Sequence, residues 1–227
     1  NLIAAKKYQR PLPHYTRRSS IPFDYRSKYS SHEFVDNSGA VWTAHIGAAE
    51  VIANAATLTS AKKSQILADI SRLQASGLRV IGVSTKKKSG TDYEYLGCIG
   101  MEDSLKPDVA TAIAKARHAG VHVVMITGDH ALTAHAIASQ AGIATSESRI
   151  VTGEEIDRAG NSFSIDPKTA VFARVNPEHK LQIINAFRKS GAVIAMTGDG
   201  VNDAASLVAA DVGIAMGIRG TQVAQDA

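Results

Sequence analysis

Two carboxylates and an amide follow a predicted strand at residues 198–203, and this combination suits magnesium and phosphate chemistry. The apolar run 192–196 is typical of a buried parallel strand, so the polar residues fall at its carboxyl end, where open α/β sheets bind ligands. Asp199 and Asp203 can face one hard cation, and Asn202 can orient a phosphate beside it. The alternative is a strand-to-helix turn in which an aspartate only caps the helix.

A second predicted strand is also followed by residues that suit phosphate chemistry. The apolar run 123–126 leads into Thr127, Gly128 and Asp129. A hydroxyl, backbone amides and the start of a helix at this point form a cradle for an anion. In the alternative interpretation, Thr127 and Asp129 only cap the helix that starts near Ala131.

Two basic residues lie between these strand ends in the sequence. Lys180 falls one turn into a helix that begins at Pro177, where it can offer a point charge to a phosphoryl group. Arg174 directly follows the predicted strand 170–173 and is a second candidate. The alternative for a lone helical lysine is a solvated side chain.

Strand and helix patterns alternate regularly from about residue 101, which predicts a parallel sheet with helices on both faces. The predicted strands are 121–126, 170–173, 192–196 and 212–216, and the predicted helices are 131–141, 177–190, a segment opened by Pro107 and closed by Gly120, and a short segment from Asp203. The earlier part is irregular and basic at first. Its predicted strands are 31–35, 41–45, 79–85 and 93–101, with a helix at 64–76 that carries an apolar stripe.

Composition sets broad limits on the class of protein. The chain has 227 residues, of which 44% are hydrophobic, and these numbers allow one good core or two modest ones. The net charge is +4, with basic residues concentrated early, but no aromatic and basic strand platform accompanies them, so nucleic-acid binding is not expected. Cys98 is the single cysteine, which favours a reducing compartment. No apolar run approaches the roughly 18 residues of a membrane span, so we expect a soluble piece of a longer protein.

Several motifs together resemble the cytoplasmic part of a P-type cation-transporting ATPase, within the haloacid dehalogenase superfamily. The TGD motif corresponds to 127–129, the FARxxPxxK block to 172–180, and the GDGxND motif to 198–203. The similarity continues through 211–217 and covers residues 99–227 almost throughout.

The earlier part resembles the nucleotide-binding domain that is inserted in this family. Phe23 resembles the ring that stacks on adenine, and Lys28 the lysine that lines the same pocket. Gly47 matches the glycine of the KGAPE motif, although Ile46 replaces its lysine. Arg79 resembles the arginine that meets the nucleotide phosphates. The alternatives are a core role for Phe23 and a solvated surface position for Arg79.

The resemblance implies an α/β fold with a parallel Rossmann-like sheet of the haloacid dehalogenase type and a smaller α+β nucleotide-binding insert. Residues 1–97 would be a partial nucleotide-binding domain and residues 98–227 a phosphorylation domain. The family's Asp-Lys-Thr-Gly-Thr strand is absent, and 166–169 is only a superficial echo of it. We therefore expect a sheet without its first strand, with a looser core or an association that covers the gap, and no phosphoenzyme from this chain alone.

The resemblance also implies the function: the ATP-binding and phosphorylation region of an ATP-driven cation pump that acts through an aspartyl phosphate. Asp199 and Asp203 would hold Mg²⁺, with Asn202 ordering the site. Thr127 and Gly128 would hold phosphoryl oxygens. The remaining implied roles are charge neutralisation by Lys180, orientation of Thr127, of a metal-bound water or of the nucleotide by Asp129, and nucleotide binding by Arg174 together with Phe23, Lys28, Gly47 and Arg79.

The implied setting is the cytoplasmic face of a membrane, reached only through the parent protein, whose membrane helices would carry the cation. The TGDH and GDGVND blocks lean toward the calcium-pump branch. The main alternative is a non-enzymatic nucleotide-binding or regulatory module, which the loss of the nucleophile and of the KGAPE lysine favours. A stand-alone phosphatase of the same superfamily is a third possibility, but it too needs the missing aspartate.

Overall fold

The computed structural model describes residues 15–102, 104–198 and 201–216. The chain divides into two compact units. The first contains the residues up to Leu73 together with Leu78–Met101, and the second contains Gln74–Gly77 and the residues from Glu102 onward. Within the described ranges, no helix has the length and apolar character that a bilayer crossing requires.

The first unit is built on one antiparallel sheet of five strands in the order β1-β2-β3-β4-β5. The strands are β1 (Thr16–Asp24), β2 (Tyr29–Val35), β3 (Val41–Ala48), β4 (Arg79–Lys87) and β5 (Glu94–Met101). Each strand pairs with the next one in the chain, so hairpins and one helical excursion between β3 and β4 make all the connections. This simple order is typical of an antiparallel meander.

Two helices, α1 (Ala49–Ala55) and α2 (Ser60–Ala75), form that excursion. The predicted apolar stripe of α2 is confirmed, because its side chains pack on the cluster that contains Ile70 and Val80. Gly82 lies opposite Gly47 in the neighbouring strand. A Cβ on Gly82 would lie 2.9 Å from the Ala49 Cα, so its lack of a side chain allows α1 to approach the sheet.

The opposite face of this sheet carries apolar side chains that the helices do not cover. Val80 and Gly82 face the helices, so Ile81 and Val83 face the other way. Ile46 pairs with Val83, and Ile99 pairs with Ile81. Ile99 is 60% exposed. We call this surface the open face.

The second unit contains two parallel sheets, one of order β6-β8-β7 and one of order β10-β9. Its strands are β6 (Met125–Ile126), β7 (Arg149–Thr152), β8 (Thr169–Ala173), β9 (Ala195–Gly198) and β10 (Val212–Ala215). Its α-helices are α3 (Val109–His118), α4 (Ala131–Gln140), α5 (Gly153–Ala159), α6 (Pro177–Lys189) and α7 (Ala204–Ala209). Short 3₁₀ turns occupy Gly160–Ser162 and Val201–Asp203.

The centre of the larger parallel sheet is β8, which is buried along its whole length. Ala170, Val171 and Ala173 pack in a cluster with residues of α4. Phe172 packs in a second cluster with residues of α5 and α6. This near-continuous apolar run is typical of a parallel strand covered on both faces.

The described residues are α/β, as the sequence predicts, but their parallel strands form two sheets instead of one. The strands β6 and β9 are edge strands of different sheets. Ile126 of β6 nevertheless packs both on the Phe172 cluster and on a cluster with Ile184 and Met196. The two edges therefore share apolar neighbours without sharing backbone hydrogen bonds.

Four of the helices and strands were not predicted, among them α1, and several boundaries differ. Every residue of β1 is exposed, so this strand offers no apolar alternation to recognise. Strand β7 and helix α5 were also missed, although Thr152 and Glu155 form a capping box that the sequence pattern T-x-x-E could have indicated. Helix α3 begins two residues after Pro107. Strand β9 begins at Ala195, so most of the apolar run 192–196 that was predicted as this strand precedes it.

Candidate active site

The loop after β6 is held against the loop after β8 by three backbone hydrogen bonds. The Thr127 amide donates to the Phe172 carbonyl at 2.9 Å. In the return direction, the Val175 amide donates to the Thr127 carbonyl at 3.2 Å, and the Arg174 amide donates to the Asp129 carbonyl at 3.0 Å. These bonds continue the parallel pairing beyond the strand ends, so the Thr127 loop and the entrance to α6 form one structure.

Side chains within the Thr127 loop also bond to each other. The Thr127 hydroxyl accepts a hydrogen bond from the Asp129 amide at 3.1 Å and donates to the Asp129 carboxylate at 3.1 Å. A Cβ on Gly128 would meet only the Val175 carbonyl oxygen, at 3.7 Å. The local turn therefore fixes the hydroxyl of Thr127, and Gly128 leaves open space beside it.

Arg174 occupies an unusual backbone conformation between β8 and α6. Its φ is 54°, in the left-handed region that non-glycine residues seldom adopt. Its amide bonds to the Asp129 loop, and a Cβ on Gly153 would lie only 2.5 Å from its carbonyl oxygen. The turn at Arg174 thus connects the Thr127 loop with the start of α5, a close approach that requires glycine at position 153.

Helix α6 begins with a capping box. The Asn176 side chain accepts a hydrogen bond from the His179 amide at 2.8 Å, and the Asn176 amide donates to Nδ1 of His179 at 3.1 Å. Pro177 occupies the first helical position, where its missing N–H costs nothing. This start fixes the first turn of the helix, and Lys180 lies at the end of that turn.

Lys180 forms an ion pair with Asp203. Its Nζ donates to Oδ1 of the carboxylate, and the two side chains are only 16% and 11% exposed. Asp203 lies at the end of the 3₁₀ turn that precedes α7, after strand β9. The contact therefore joins the entrance of α6 to the carboxyl end of β9.

Gly198, the last residue of β9, lies directly against Asp203. A Cβ at this position would be 2.5 Å from the Asp203 Cβ and 3.2 Å from its Oδ2. Contacts this short do not occur between real side chains, so position 198 must be glycine if Asp203 keeps its place. The backbone of β9 is thereby brought close to the Asp203 carboxylate.

The predicted magnesium ligands are only partly within the described residues. Asp199 and Gly200 lie outside them, while Asp203 is buried and Asn202 is exposed. No group of three or more His, Cys, Asp or Glu side chains with metal-binding proximity occurs in the described ranges. The carboxylate of Asp203 and the amide of Asn202 nevertheless supply the oxygen donors that Mg²⁺ prefers, so the residues present fit this ion chemically.

In the first unit, the predicted nucleotide-binding residues Lys28 and Gly47 lie together. Lys28 has a φ of 63°, and its amide donates to the Asp24 carbonyl at 2.7 Å, which closes the turn between β1 and β2. The Lys28 carbonyl accepts a hydrogen bond from the Ala48 amide at 2.9 Å. A Cβ on Gly47 would collide with the Lys28 carbonyl oxygen, so this turn folds over the glycine.

Phe23 and Arg79 are both exposed, at different places on the first unit. Phe23 is 52% exposed and makes an edge-to-face contact with Tyr25 at 5.5 Å between ring centroids, so it is not a core residue. Arg79 pairs with Met101 at the start of β4, on the open face. The described contacts therefore unite Lys28 with Gly47 and place Arg79 beside the apolar surface that includes Ile46.

In the second unit, the predicted residues fall into two connected groups. One group is Thr127, Gly128, Asp129 and Arg174, and the other is Lys180 and Asp203. Helix α6 connects them, because Val175, directly before its N-cap, donates to the Thr127 carbonyl, and the first turn of the helix carries Lys180. Sequence reasoning missed Gly153 and His179, although asparagine directly before a proline-led helix start is a recognisable N-cap signal.

Comparison with known families gives the class of protein. The sequence model of the haloacid dehalogenase-like hydrolases matches residues 7–211. The chain therefore belongs to the haloacid dehalogenase-like hydrolase family.

Individual relatives are calcium-transporting ATPases. The chain is 42% identical over 182 residues to calcium-transporting ATPase 1 of Bacillus cereus, a match that covers 75% of this chain and 20% of that protein. It is 42% identical over 173 residues to calcium-transporting ATPase type 2C member 1 of Homo sapiens, covering 75% and 19% respectively. It is 37% identical over 186 residues to a calcium-transporting ATPase of Bacillus subtilis, covering 77% and 21%. The chain spans about a fifth of the length of these relatives, and its resemblance to P-type cation ATPases is confirmed.

Proposed function

We propose that this chain is the ATP-binding and phosphorylation region of an ATP-driven cation pump that acts through an aspartyl-phosphate intermediate. The nucleophilic aspartate lies outside these 227 residues. The observation that carries the proposal is the ion pair of Lys180 with Asp203 on a helix whose entrance is bonded to the Thr127 loop. Similarity to calcium-transporting ATPases supports it independently.

The second unit would handle the phosphoryl group. Phosphoryl transfer depends mainly on positioning and on neutralising charge, so a fixed hydroxyl, a lysine and paired carboxylates suit it. Thr127 and Gly128 would hold phosphoryl oxygens, with Asp129 orienting the Thr127 hydroxyl through the bond described above. Lys180 would neutralise negative charge that develops as the phosphoryl group moves.

Magnesium would be held by Asp199 and Asp203, with Asn202 ordering the surrounding oxygens. When bound, the ion offsets the repulsion between a phosphate and an attacking carboxylate. Nζ of Lys180 contacts Oδ1 of Asp203, and Oδ2 is the carboxylate oxygen nearer to Gly198. Lys180 would thus help to hold Asp203 in place.

The nucleophile would enter on a further parallel strand between β6 and β9. Two observations support this location. Both strands are sheet edges, and Ile126 packs on the apolar clusters of both sheets. A strand added there would pair with both edges and bring its carboxyl end beside Thr127 and Gly198.

The first unit would bind ATP as part of a nucleotide-binding domain, and the second would be the phosphorylation domain. The exposed ring of Phe23 is available for stacking on adenine, while Lys28 and Gly47 form the adjacent turn. Arg79 would meet phosphates at the edge of the open face. Arg174 would also bind the nucleotide.

The relatives support a proposal for the transported ion and for the location. Several relatives are named calcium-transporting ATPases, so we propose calcium as the cation of the parent pump. The chain would then lie on the cytoplasmic face of a membrane that the parent protein crosses. Its direct partner would be ATP.

Calorimetric titration of the chain with ATP and Mg²⁺, combined with a phosphate-release assay, tests the proposal. We expect measurable ATP affinity without turnover, since the nucleophile is absent. Phe23→Ala should weaken ATP binding, whereas Tyr15→Ala, which removes an aromatic ring of equal 52% exposure, should not. No ATP affinity would favour the alternative, a degenerate regulatory module without nucleotide binding, for which Ile46 in place of the KGAPE lysine is the supporting observation.

The metal ligands are tested separately from the nucleotide. Asp199→Asn and Asp203→Asn should each weaken Mg²⁺ binding. Asp108→Asn removes an exposed carboxylate from the same unit and serves as the control. Unchanged Mg²⁺ affinity in both site variants would refute the assignment.

A further inference from the structure

His179 is a buried polar side chain that the proposed mechanism does not use. It lies in the first turn of α6, is 4% exposed and directly precedes Lys180. Both of its ring nitrogens have partners. Nδ1 contacts the Asn176 amide at 3.1 Å, and Nε2 contacts the Asp157 carboxylate of α5 at 2.9 Å.

These partners determine where the imidazole carries its proton. A backbone amide can only donate, so Nδ1 of His179 must accept and has no hydrogen. Nε2 must then carry the hydrogen and donate it to Asp157. The ring is therefore the neutral Nε2–H tautomer, because a second proton on Nδ1 would set two donors against each other at Asn176.

The imidazole ring of His179 also packs tightly against its surroundings. A Cβ on Gly153 would lie 2.7 Å from Cε1 and 2.8 Å from Nδ1 of His179, so the ring fills the volume that a side chain at Gly153 would need. Gly153 is the first residue of α5. The imidazole thus connects the starts of α5 and α6 by packing as well as by hydrogen bonds.

The same helical turn carries Lys180. Its ammonium bonds to Asp203, which belongs to a different segment of the chain, the one after β9. A helix whose first turn unwinds would displace that side chain. The Asn176–His179 capping box closes this turn. His179 therefore determines the position of the backbone from which the Lys180 side chain extends.

We propose that His179 is the positioning residue for Lys180: as the Nε2–H tautomer it closes the α6 capping box, bonds to Asp157, and so holds the lysine ammonium against Asp203. Its effect on phosphoryl transfer rests on the proposed function. Its effect on the place of Lys180 does not, and that placement is measurable in the chain without nucleotide or metal.

Amine acetylation followed by peptide mass spectrometry tests the proposal, with Lys189 as the internal reference. Lys189 is an exposed lysine on the same helix, whereas Lys180 is shielded by its ion pair. In the chain without substitutions, Lys180 should be acetylated several-fold more slowly than Lys189. His179→Ala should remove most of that difference. Glu178→Ala, which truncates the exposed neighbour in the same turn, should leave the difference unchanged.

The conservative variant separates positioning from bulk packing. Glutamine at the third helical position can close a capping box with its amide oxygen and can donate to Asp157 with its amide nitrogen. His179→Gln should therefore restore the slow reaction of Lys180. An unchanged Lys180 to Lys189 ratio in His179→Ala, or equal loss of protection in His179→Gln, would overturn the proposal.

If His179→Ala does not fold, a measurement on the chain without substitutions still tests the proposal. Nitrogen-15 spectra of the imidazole at neutral pH should identify His179 as protonated at Nε2 and unprotonated at Nδ1. The Nδ1–H tautomer or a doubly protonated ring would contradict the capping bond and with it the proposed role.

Discussion

Lys180 and Asp203 are 23 residues apart in the sequence and form an ion pair in which both side chains are mostly buried. The pair joins the first turn of α6 to the segment that follows β9. It thereby unites the two parallel sheets at their carboxyl ends, although no backbone hydrogen bond joins β6 to β9. An ion pair in such a place is costly to break, because the remaining charge loses an oppositely charged neighbour while it stays largely out of water.

We expect Lys180→Met to lower the free energy of unfolding by about 2 kcal/mol, between the values typical of exposed and of buried pairs. The double variant Lys180→Met with Asp203→Leu should be more stable than the sum of the single effects predicts, because it removes both charges of the pair together. Urea unfolding of the four proteins measures the coupling.

The control for this double-mutant cycle of Lys180 and Asp203 is Arg188, on the same helix. Its ion pair with Asp211 has side-chain exposures of 46% and 37%. Arg188→Met should therefore cost about 0.5 kcal/mol or less. Additive effects of the Lys180 and Asp203 substitutions would contradict a coupled pair.

Gly198→Ala should destabilise the second unit and displace Asp203. The added methyl group would lie 2.5 Å from the Asp203 Cβ, so either the strand end or the aspartate must move. We expect a loss of about 1–3 kcal/mol, typical of overpacking, together with weaker Mg²⁺ binding. Gly128→Ala is the matched control for folding, since its Cβ would meet nothing nearer than 3.7 Å. Equal stability of the two variants would refute the close packing at Gly198.

Gly47→Ala should disrupt the turn between β1 and β2. Besides the collision with the Lys28 carbonyl, the new Cβ would lie 2.5 Å from the Tyr29 Cα, which is backbone and cannot rotate away. Thermal unfolding should register a loss of about 1–3 kcal/mol. Gly90→Ala places its Cβ 3.4 Å from the Lys87 carbonyl oxygen and should be tolerated. A Gly47→Ala protein as stable as the parent would contradict the observed turn.

Asp36 provides a prediction of pH dependence. Hydrogen bonds from the Ser38 hydroxyl and then from the Trp42 indole lower the pKa of Asp36 from its ordinary 3.8 to about 2. Because the folded pKa is the lower one, the stabilisation by these bonds is present above pH 3.8 and is lost as the pH falls through about 2.

The indole N–H reports this titration directly, because Trp42 is the only tryptophan and donates to Asp36 at 2.9 Å. Its proton resonance in NMR spectra should shift with a midpoint near pH 2. In Asp36→Asn that transition should disappear. A midpoint at or above the ordinary aspartate pKa would contradict the hydrogen-bonded turn.

Local features of the fold were predictable where apolar periodicity is strong. The stripe of α2 and the buried run of β8 both follow directly from residue spacing, and both are observed. Strand β1 could not be predicted in this way because all of its side chains are exposed, and its pairing with β2 depends on backbone hydrogen bonds instead.

Long-range features of the site were only partly predictable. The motifs indicated that Thr127, Lys180 and Asp203 lie at strand and helix ends, but no local pattern indicates that Lys180 pairs with Asp203. The left-handed turn at Arg174 and the packing of His179 on Gly153 depend on contacts between different elements. Sequence periodicity carries no information about such contacts.

We propose that the first unit binds ATP and that the second binds magnesium beside Asp203. Amide NMR spectra of the chain, titrated first with Mg²⁺ and then with ATP, examine both sites in one experiment. We expect Mg²⁺-dependent shifts around Asp203 and Gly198, followed by ATP-dependent shifts in the Asp24–Tyr29 turn and at Gly47. Spectra that do not change at either place at millimolar ligand would contradict it.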